Sequence, residues 1–168
     1  MSTTVPNVVI RPMPHRRSAR QSSYMDMAVV SPIILPLELA RALTTAAIRK
    51  VEDTGIPSCV AVVDGGGNLV LLTRMDGAAI GAIDSSIAKA RTAVHFAAST
   101  SDLSAAAAGG PLATIATSSE VRLAFVAGGI PILDSEGVVI GGLGAGGGSP
   151  SQDHAAVSSA ARSVGGRL

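Results

Sequence analysis

The sequence predicts an α/β protein of the α+β type, in which helices cover an antiparallel sheet. First, two strand-like runs at 58–64 and 69–75 are joined by the short glycine-rich link GGGN, as in an antiparallel hairpin. Second, helical patterns flank the strands without the strict alternation of βαβ units. Third, 47% of the residues are hydrophobic but only 2% are aromatic. Small side chains must therefore fill the interior, which favours close helix-on-sheet packing.

The length of 168 residues suits one domain with its own core. Residues 1–31 mix Pro, Ser, Thr and Arg without periodicity, which predicts a flexible N-terminal arm. Residues 32–168 are predicted to form the single folded domain.

The helices and strands of the first half have recognisable limits. Leu39, Leu43 and Val51 recur at helical spacing, and Gly55 stands where that helix should stop. After the hairpin, the segment 80–99 predicts a long helix with an apolar stripe that begins at Ile80.

The second half contains a predicted short helix at 101–108, which GGP should end. The segment LAFVAGG (123–129) and the two runs after it are predicted to form two or three strands, with DSEG as a turn. Ser149 and Gln152 form a capping-box pattern around Pro150, so a last helix should begin there.

Charge and cysteine content exclude several functional classes. The formal net charge is +1, and the basic excess lies in the N-terminal arm rather than on the body, so no nucleic-acid surface is expected. Cys59 is the only cysteine, which excludes an intramolecular disulfide, and its apolar neighbours predict a buried side chain. No apolar run approaches the roughly 18 residues of a membrane span, and we expect a cytoplasmic protein.

Two glycine clusters could be mistaken for nucleotide-binding loops. The first, GGG at 65–67, precedes a strand rather than a helix, so it is interpreted as a hairpin turn. The second, at 141–148, precedes the last helix and contains a G-x-G-x-x-G spacing. The acidic residue that a dinucleotide site needs about 20 positions downstream is missing. A pocket of backbone amides for an anion remains an alternative there.

Candidate site residues lie on the second strand and the long helix. Arg74 and Asp76 share a strand face, where they would bind a carboxylate-bearing ligand or form an exposed ion pair. Lys89 would be either partly buried or extended to solvent. His95 is the best-placed acid, base or ligand, although a structural role is the alternative. Histidines and carboxylates do not cluster, so no metal site is predicted.

Four segments in this order resemble the GlcG/HbpS family, also found as the C-terminal domain of PduO-type proteins: VVDGGGNLVLLTRMDGA, IDSSIAKARTA, VAGGIPI and GVVIGGLGAGGGSPSQD. The resemblance covers residues 36–166. It implies a profilin-like fold, with an antiparallel five-stranded sheet and helices on both faces, and a homo-oligomer, dimeric or larger.

The resemblance also implies a small-molecule ligand, namely haem or a related tetrapyrrole. Its motifs map onto site residues in three segments: Arg74, Asp76 and Gly77; Lys89; and Gly128-Gly129-Ile130-Pro131, with Thr114 added from the segment before them. Thr114 is the residue that the resemblance indicates as a possible haem ligand. Arg91 is a further candidate ligand-binding residue outside the family pattern, because it would supply positive charge for a small anionic ligand.

The sequence departs from the family at Arg91, where an aromatic residue is common, and has few aromatic rings to stack on a porphyrin. These departures leave a second hypothesis open. It is an enzyme of the isomerase, hydrolase or deaminase type that acts on a small carboxylated substrate. Its acid and base would come from Lys89, His95 and Asp76. A third hypothesis is an oligomeric structural or accessory protein without catalytic activity.

Overall fold

The structure is a computed structural model that describes residues 35–165, with the side chains of residues 117 and 118 left out. The predicted arm at 1–31 lies outside the described residues. In chain order the elements are α1 (Leu37–Glu52), β1 (Cys59–Asp64), β2 (Leu69–Arg74), α2 (Gly81–Phe96), α3 (Thr100–Ala107), α4 (Pro111–Ser118), β3 (Gly129–Leu133), β4 (Val139–Gly146) and α5 (Pro150–Val164).

The strands form one antiparallel sheet in the order β2-β1-β4-β3. The sheet within the described residues therefore has four strands, and the expectation of five was wrong. The missing strand is LAFVAGG, whose segment bonds to α2 instead. The Ala124 N–H donates to Thr92 Oγ1 at 2.8 Å, and Phe125 packs edge-on against Phe96 with ring centroids 5.1 Å apart. The profilin-like description stays a prediction.

Helices cover both faces of the sheet, as predicted. The alternation of side chains along β1 shows this, because Val60 and Val62 join the core under α1 and α5. Cys59 and Val63 point the other way, into apolar clusters with α2. Cys59 is fully buried, which confirms its predicted place in the interior.

The second glycine cluster forms β4 and allows α2 to approach the sheet closely. A Cβ atom at Gly144 would collide with the carbonyl oxygen of Ser86, and one at Gly142 with that of Ala90. These two glycines are therefore buried packing positions rather than part of an anion pocket.

The GGG run is the predicted hairpin turn. Asp64 Oδ1 accepts hydrogen bonds from the backbone N–H groups of Gly66 and Asn68, and Gly67 has φ +79°. The β3–β4 turn has the same construction, with Asp134 as the accepting residue and Gly137 at φ +84°. Both glycines occupy the left-handed region that a side chain disfavours.

Candidate functional site

A groove of about 370 Å³ opens between the β1–β2 turn and the second half of α2. We call it the turn groove. Its lining residues are Gly66, Gly67, Asn68, Arg91, His95, Glu120, Val121 and Arg122.

Arg91 and His95 enter the turn groove from α2, where a separation of four residues places them on one face. Arg91 is half-buried, and its Nε donates to the Gly67 carbonyl at 2.8 Å. That bond fixes the side chain against the turn and uses only the Nε–H donor of the guanidinium. The terminal Nη groups carry further donors for an anion.

The His95 imidazole lies directly over Gly67. A Cβ atom at position 67 would sit 2.9 Å from His95 Nε2, closer than such contacts allow. Glycine at 67 is therefore favoured by its positive φ, and a methyl group there would displace the exposed imidazole. His95 itself is exposed, so a ligand can reach its ring.

The third side of the turn groove comes from the irregular segment 120–122. Arg122 Nη1 forms an ion pair with Asp84 Oδ2 at 2.9 Å, and both side chains are exposed. An exposed pair of this kind contributes little stability, so it opens at low cost when an anion competes. With Arg91 and Arg122 against Glu120, the lining carries a positive excess.

The structure places Arg74, Asp76 and Gly77 at the other end of the hairpin, with Arg74 as the last residue of β2 and the other two just beyond it. Arg74 Nε and Nη2 donate to the Ala78 carbonyl at 3.2 and 2.8 Å, which closes the turn after β2. The described residues contain no ion pair between Arg74 and Asp76. These three candidates do not line the turn groove.

Lys89 lies in the interior, 4% exposed, and outside the turn groove. Its Nζ contacts Asp153 Oδ2 at 2.7 Å and donates to the Ala145 carbonyl at 3.1 Å. A Cβ atom at Gly128 would lie 2.7 Å from Asp153 Cβ and 3.1 Å from Lys89 Nζ, so Gly128 makes room for the pair. Gly129 packs directly on the Lys89 backbone. The structure thus brings three predicted residues together, but in a packed interior.

The remaining two candidates lie elsewhere. Pro131 is buried in β3, where it pairs with Gly142. Thr114 lies on α4, exposed and outside the turn-groove lining. No residue pattern had indicated α4, although the sequence Gly110-Pro111 supplies a common helix start.

Sequence reasoning missed Asp153 and the segment 120–122. Asp153 is 64 residues from its partner Lys89, and nothing local distinguishes it from an ordinary acidic residue in a first helical turn. Residues 120–122 belong to no helix or strand, so periodicity could not place them.

Burial raises the pKa of the Cys59 thiol, and the nearby Arg74 guanidinium offsets part of that rise. The thiol is therefore protonated and enclosed at neutral pH, which is the condition of a structural cysteine.

Within residues 35–165 there is no group of three or more His, Cys, Asp and Glu side chains that could hold a metal ion. None of the helices in that range has the length and apolarity to cross a membrane.

Two curated proteins of Citrobacter freundii are similar to this chain. An uncharacterised 15.0 kDa protein from the dhaT–dhaS intergenic region is 32% identical over 120 residues, which are 71% of this chain and 84% of that protein. The corrinoid adenosyltransferase PduO is 32% identical over 112 residues, which are 66% of this chain but only 33% of PduO. The chain thus spans about a third of PduO.

Solved structures share the fold. A PduOC:haem complex superposes with a TM-score of 0.73 at 28% identity, covering 79% of this chain and 96% of that one. A double mutant of HbpS from Streptomyces reticuli superposes with a TM-score of 0.71 at 31% identity, covering 90% and 98%.

The family described as haem degrading protein HbpS-like matches residues 35–162, nearly the whole described range. The resemblance found in the four sequence motifs is therefore confirmed, and this chain belongs to the HbpS-like family.

Proposed function

We propose that the protein binds haem or a related tetrapyrrole in the turn groove, with the His95 imidazole toward the iron and Arg91 and Arg122 toward the propionates. The observation that carries this proposal is the meeting of one exposed imidazole with two guanidinium groups in a single groove. The HbpS-like family and the PduOC:haem complex support it.

The chemistry of the lining fits the charged and coordinating parts of haem. Imidazole is an ordinary axial ligand of haem iron, and guanidinium groups bind carboxylates with directed hydrogen bonds. The volume of about 370 Å³ falls in the range of small-molecule sites, although it would enclose only part of a porphyrin. Bound haem would supply iron for electron transfer or oxygen chemistry.

The chain's own residues have separable tasks in this proposal. Gly67 keeps the space beside His95 open and holds Arg91 through its carbonyl. Arg91 and Arg122 supply positive charge, and Val121 supplies the large apolar side chain of the lining. Thr114, the other proposed iron ligand, lies outside this lining, so His95 takes its place in the proposal.

One observation favours the alternative of an enzyme for a small carboxylated substrate. The turn-groove lining is mostly polar, with Val121 as its one large apolar residue, which suits a small anion better than a wide macrocycle. In that case His95 would transfer the proton while Arg91 holds the carboxylate. Lys89 and Asp76 lie outside the turn groove, and their catalytic roles stay predictions.

Titration of the purified protein with haemin tests the first proposal. We expect a Soret shift that saturates at a stoichiometric ratio and changes in position or intensity in His95→Ala. The Thr114→Ala variant is the matched control and should keep the wild-type spectrum. Absence of a shift in the wild type overturns the haem proposal. Calorimetric titration with small mono- and dicarboxylates then tests the alternative, with Arg91→Gln as the variant that should lose binding.

We also infer that the protein forms a homo-oligomer. Its mean hydropathy is +0.44, and several large apolar side chains are exposed, among them Ile80, Ile115 and Val126. A monomeric mass in sedimentation equilibrium at micromolar concentration would contradict this inference.

A further inference from the structure

Strand β2 forms one edge of the sheet, and half of its backbone polar groups point outward. The Met75 N–H donates to the Ser58 carbonyl at 3.0 Å, just beyond the paired strands. Since antiparallel pairing alternates, Thr73 and Leu71 also turn their polar groups toward β1. The N–H and C=O of Leu72 then point away from the sheet, where nothing in the described part of the chain pairs with them. An open edge of this kind is a template for another strand.

A second groove, of about 470 Å³, runs beside that edge between α1 and β2. We call it the edge groove. Its lining residues are Arg41, Thr44, Thr45, Ile48, Arg49, Glu52, Leu71 and Thr73. It shares no residue with the turn groove.

Two arginines and one glutamate set the charge of the edge groove, because Glu52 also lines it and leaves a net charge of +1. Arg41 and Arg49 are eight residues apart on α1, which corresponds to about 12 Å along the helix axis. Arg41 makes only an exposed contact with Glu38 at 3.3 Å, and Arg49 has no ion pair within residues 35–165. The two backbone positions are therefore about two helical turns apart, and their side chains form separate points of positive charge. They match an extended ligand that carries two negative groups.

The spacing between the arginines specifies the ligand further. In an extended strand, side chains on one face repeat at about 6.8 Å, so acidic residues four positions apart are about 14 Å apart. The lining between the two arginines includes Ile48, and Leu71 faces it from β2. An apolar residue between the two acidic residues could contact Leu71, with Ile48 close to the Arg49 end.

The Thr44 hydroxyl is a further sign that the edge groove is incomplete without a ligand. Thr44 is 4% exposed, and its Oγ1 has no hydrogen-bond partner within residues 35–165. A buried hydroxyl without a partner is costly. This oxygen has almost no exposed surface, so a polar group of a bound chain could satisfy it only after the Thr44 side chain rotates toward the groove.

We propose that the edge groove binds an extended segment of a partner protein, which pairs with β2 as an added strand and places two acidic side chains, four residues apart, against Arg41 and Arg49. Main-chain hydrogen bonds to Leu72 supply the pairing, and the two arginines with the apolar contact supply the selection. This surface is separate from the site of the proposed haem function.

The test uses the full chain and a fluorescent, end-blocked peptide of sequence Thr-Glu-Thr-Val-Thr-Glu-Thr, followed by anisotropy. We expect saturable binding that Arg41→Glu/Arg49→Glu weakens roughly tenfold or more, because two attractions become repulsions. The double variant should in turn bind the peptide with Lys in place of Glu. Arg162→Glu changes an exposed charge on α5 and should leave binding unchanged. Equal binding by wild type and double variant would overturn the proposal.

A second measurement examines strand pairing itself. N-methylation of single peptide residues should abolish binding at alternate positions and spare those between, since only every second N–H faces β2. A uniform effect along the peptide would contradict strand addition. If the peptide does not bind and the double variant instead dissociates a dimer in sedimentation, the edge pairs with a second copy of this chain and the proposal is wrong.

Discussion

Lys89 and Asp153 form an ion pair of 2.7 Å across 64 residues of sequence, and this pair joins helices on opposite faces of the sheet. Both side chains are almost fully buried, at 5% and 3% exposure. Asp153 Oδ1 also accepts the Gly148 N–H at 3.1 Å, which ties the start of α5 to the same cluster. The lysine that the sequence proposed as catalytic is thus a cross-link between α2 and α5.

Removing one partner should destabilise the fold strongly. Lys89→Met leaves the Asp153 carboxylate buried without its cation, and we expect the free energy of unfolding to fall by about 3–5 kcal/mol in urea titrations. Lys50→Met, in the exposed Lys50–Asp53 pair, is the control and should lower it by less than about 1 kcal/mol. A Lys89→Met protein as stable as the wild type would show that the pair is not structural.

Replacing Gly67 with Ala should affect both backbone and site. The positive φ costs about 1–2 kcal/mol, and the new methyl group displaces the His95 ring from its place beside the turn. Gly137→Ala is a matched control, because Gly137 has nearly the same φ in the equivalent turn and nothing within 4 Å of its would-be Cβ. Thermal unfolding should show a similar backbone cost for both variants, whereas only Gly67→Ala should lose haemin binding. Equal haemin affinity in the Gly67→Ala and Gly137→Ala variants would show that the position of His95 does not matter for haemin binding.

Stability should decline at alkaline pH because of Cys59. Its folded pKa is raised by burial, so below the unfolded pKa of about 8.5 both states keep the proton and stability is unaffected. Above that pH the unfolded thiol ionises while the folded one does not, and stability falls until the folded pKa is reached. Urea titrations between pH 7 and 10 should show this loss of stability. The Cys59→Ala variant should lack the part of the loss that comes from ionisation of the thiol.

The same burial predicts that Cys59 is unreactive in the native state. A disulfide reagent added at neutral pH should modify the thiol only at the rate of unfolding, because the side chain is fully enclosed. Rapid modification of the folded protein would contradict the packing of β1 against α2.

Thr44→Val should stabilise the unliganded protein. The change removes a buried hydroxyl without a partner and keeps the side-chain shape, so the free energy of unfolding should rise by up to about 1 kcal/mol. Thr45→Val, one residue along and exposed, is the control and should have a smaller effect. Destabilisation by Thr44→Val would mean that the hydroxyl has a partner in solution.

Local patterns predicted much of the fold. The spacing of Leu39, Leu43 and Val51, the GGGN turn and the capping box at Ser149 each correspond to an observed element. The prediction of a fifth strand was wrong because contacts with α2 override the strand propensity of LAFVAGG. One such contact is the hydrogen bond from the Ala124 N–H to Thr92 Oγ1. A contact between residues 32 positions apart cannot be inferred from the pattern of a short sequence segment.

The candidate site was predictable only where its residues share one helix. Arg91 and His95 are four residues apart in the predicted long helix, a spacing that puts them on one face, and the structure brings both to the turn groove. The glycines at 66 and 67 were interpreted as turn residues alone, yet they also line that groove. Arg122 and Asp153 depend on tertiary contacts, which a single sequence does not encode locally.

The glycines of β4 determine how closely α2 packs on the sheet, and α2 carries two of the residues that line the turn groove. Since α2 packs on bare backbone at Gly142 and Gly144, one added methyl group at either position would push the helix away from the sheet. Arg91 and His95 would travel with it, while the β1–β2 turn stayed in place. Substitutions in β4, which does not line the turn groove, would thus misalign the two sides of that groove. The sheet, as much as the groove lining, therefore sets the shape of the turn groove.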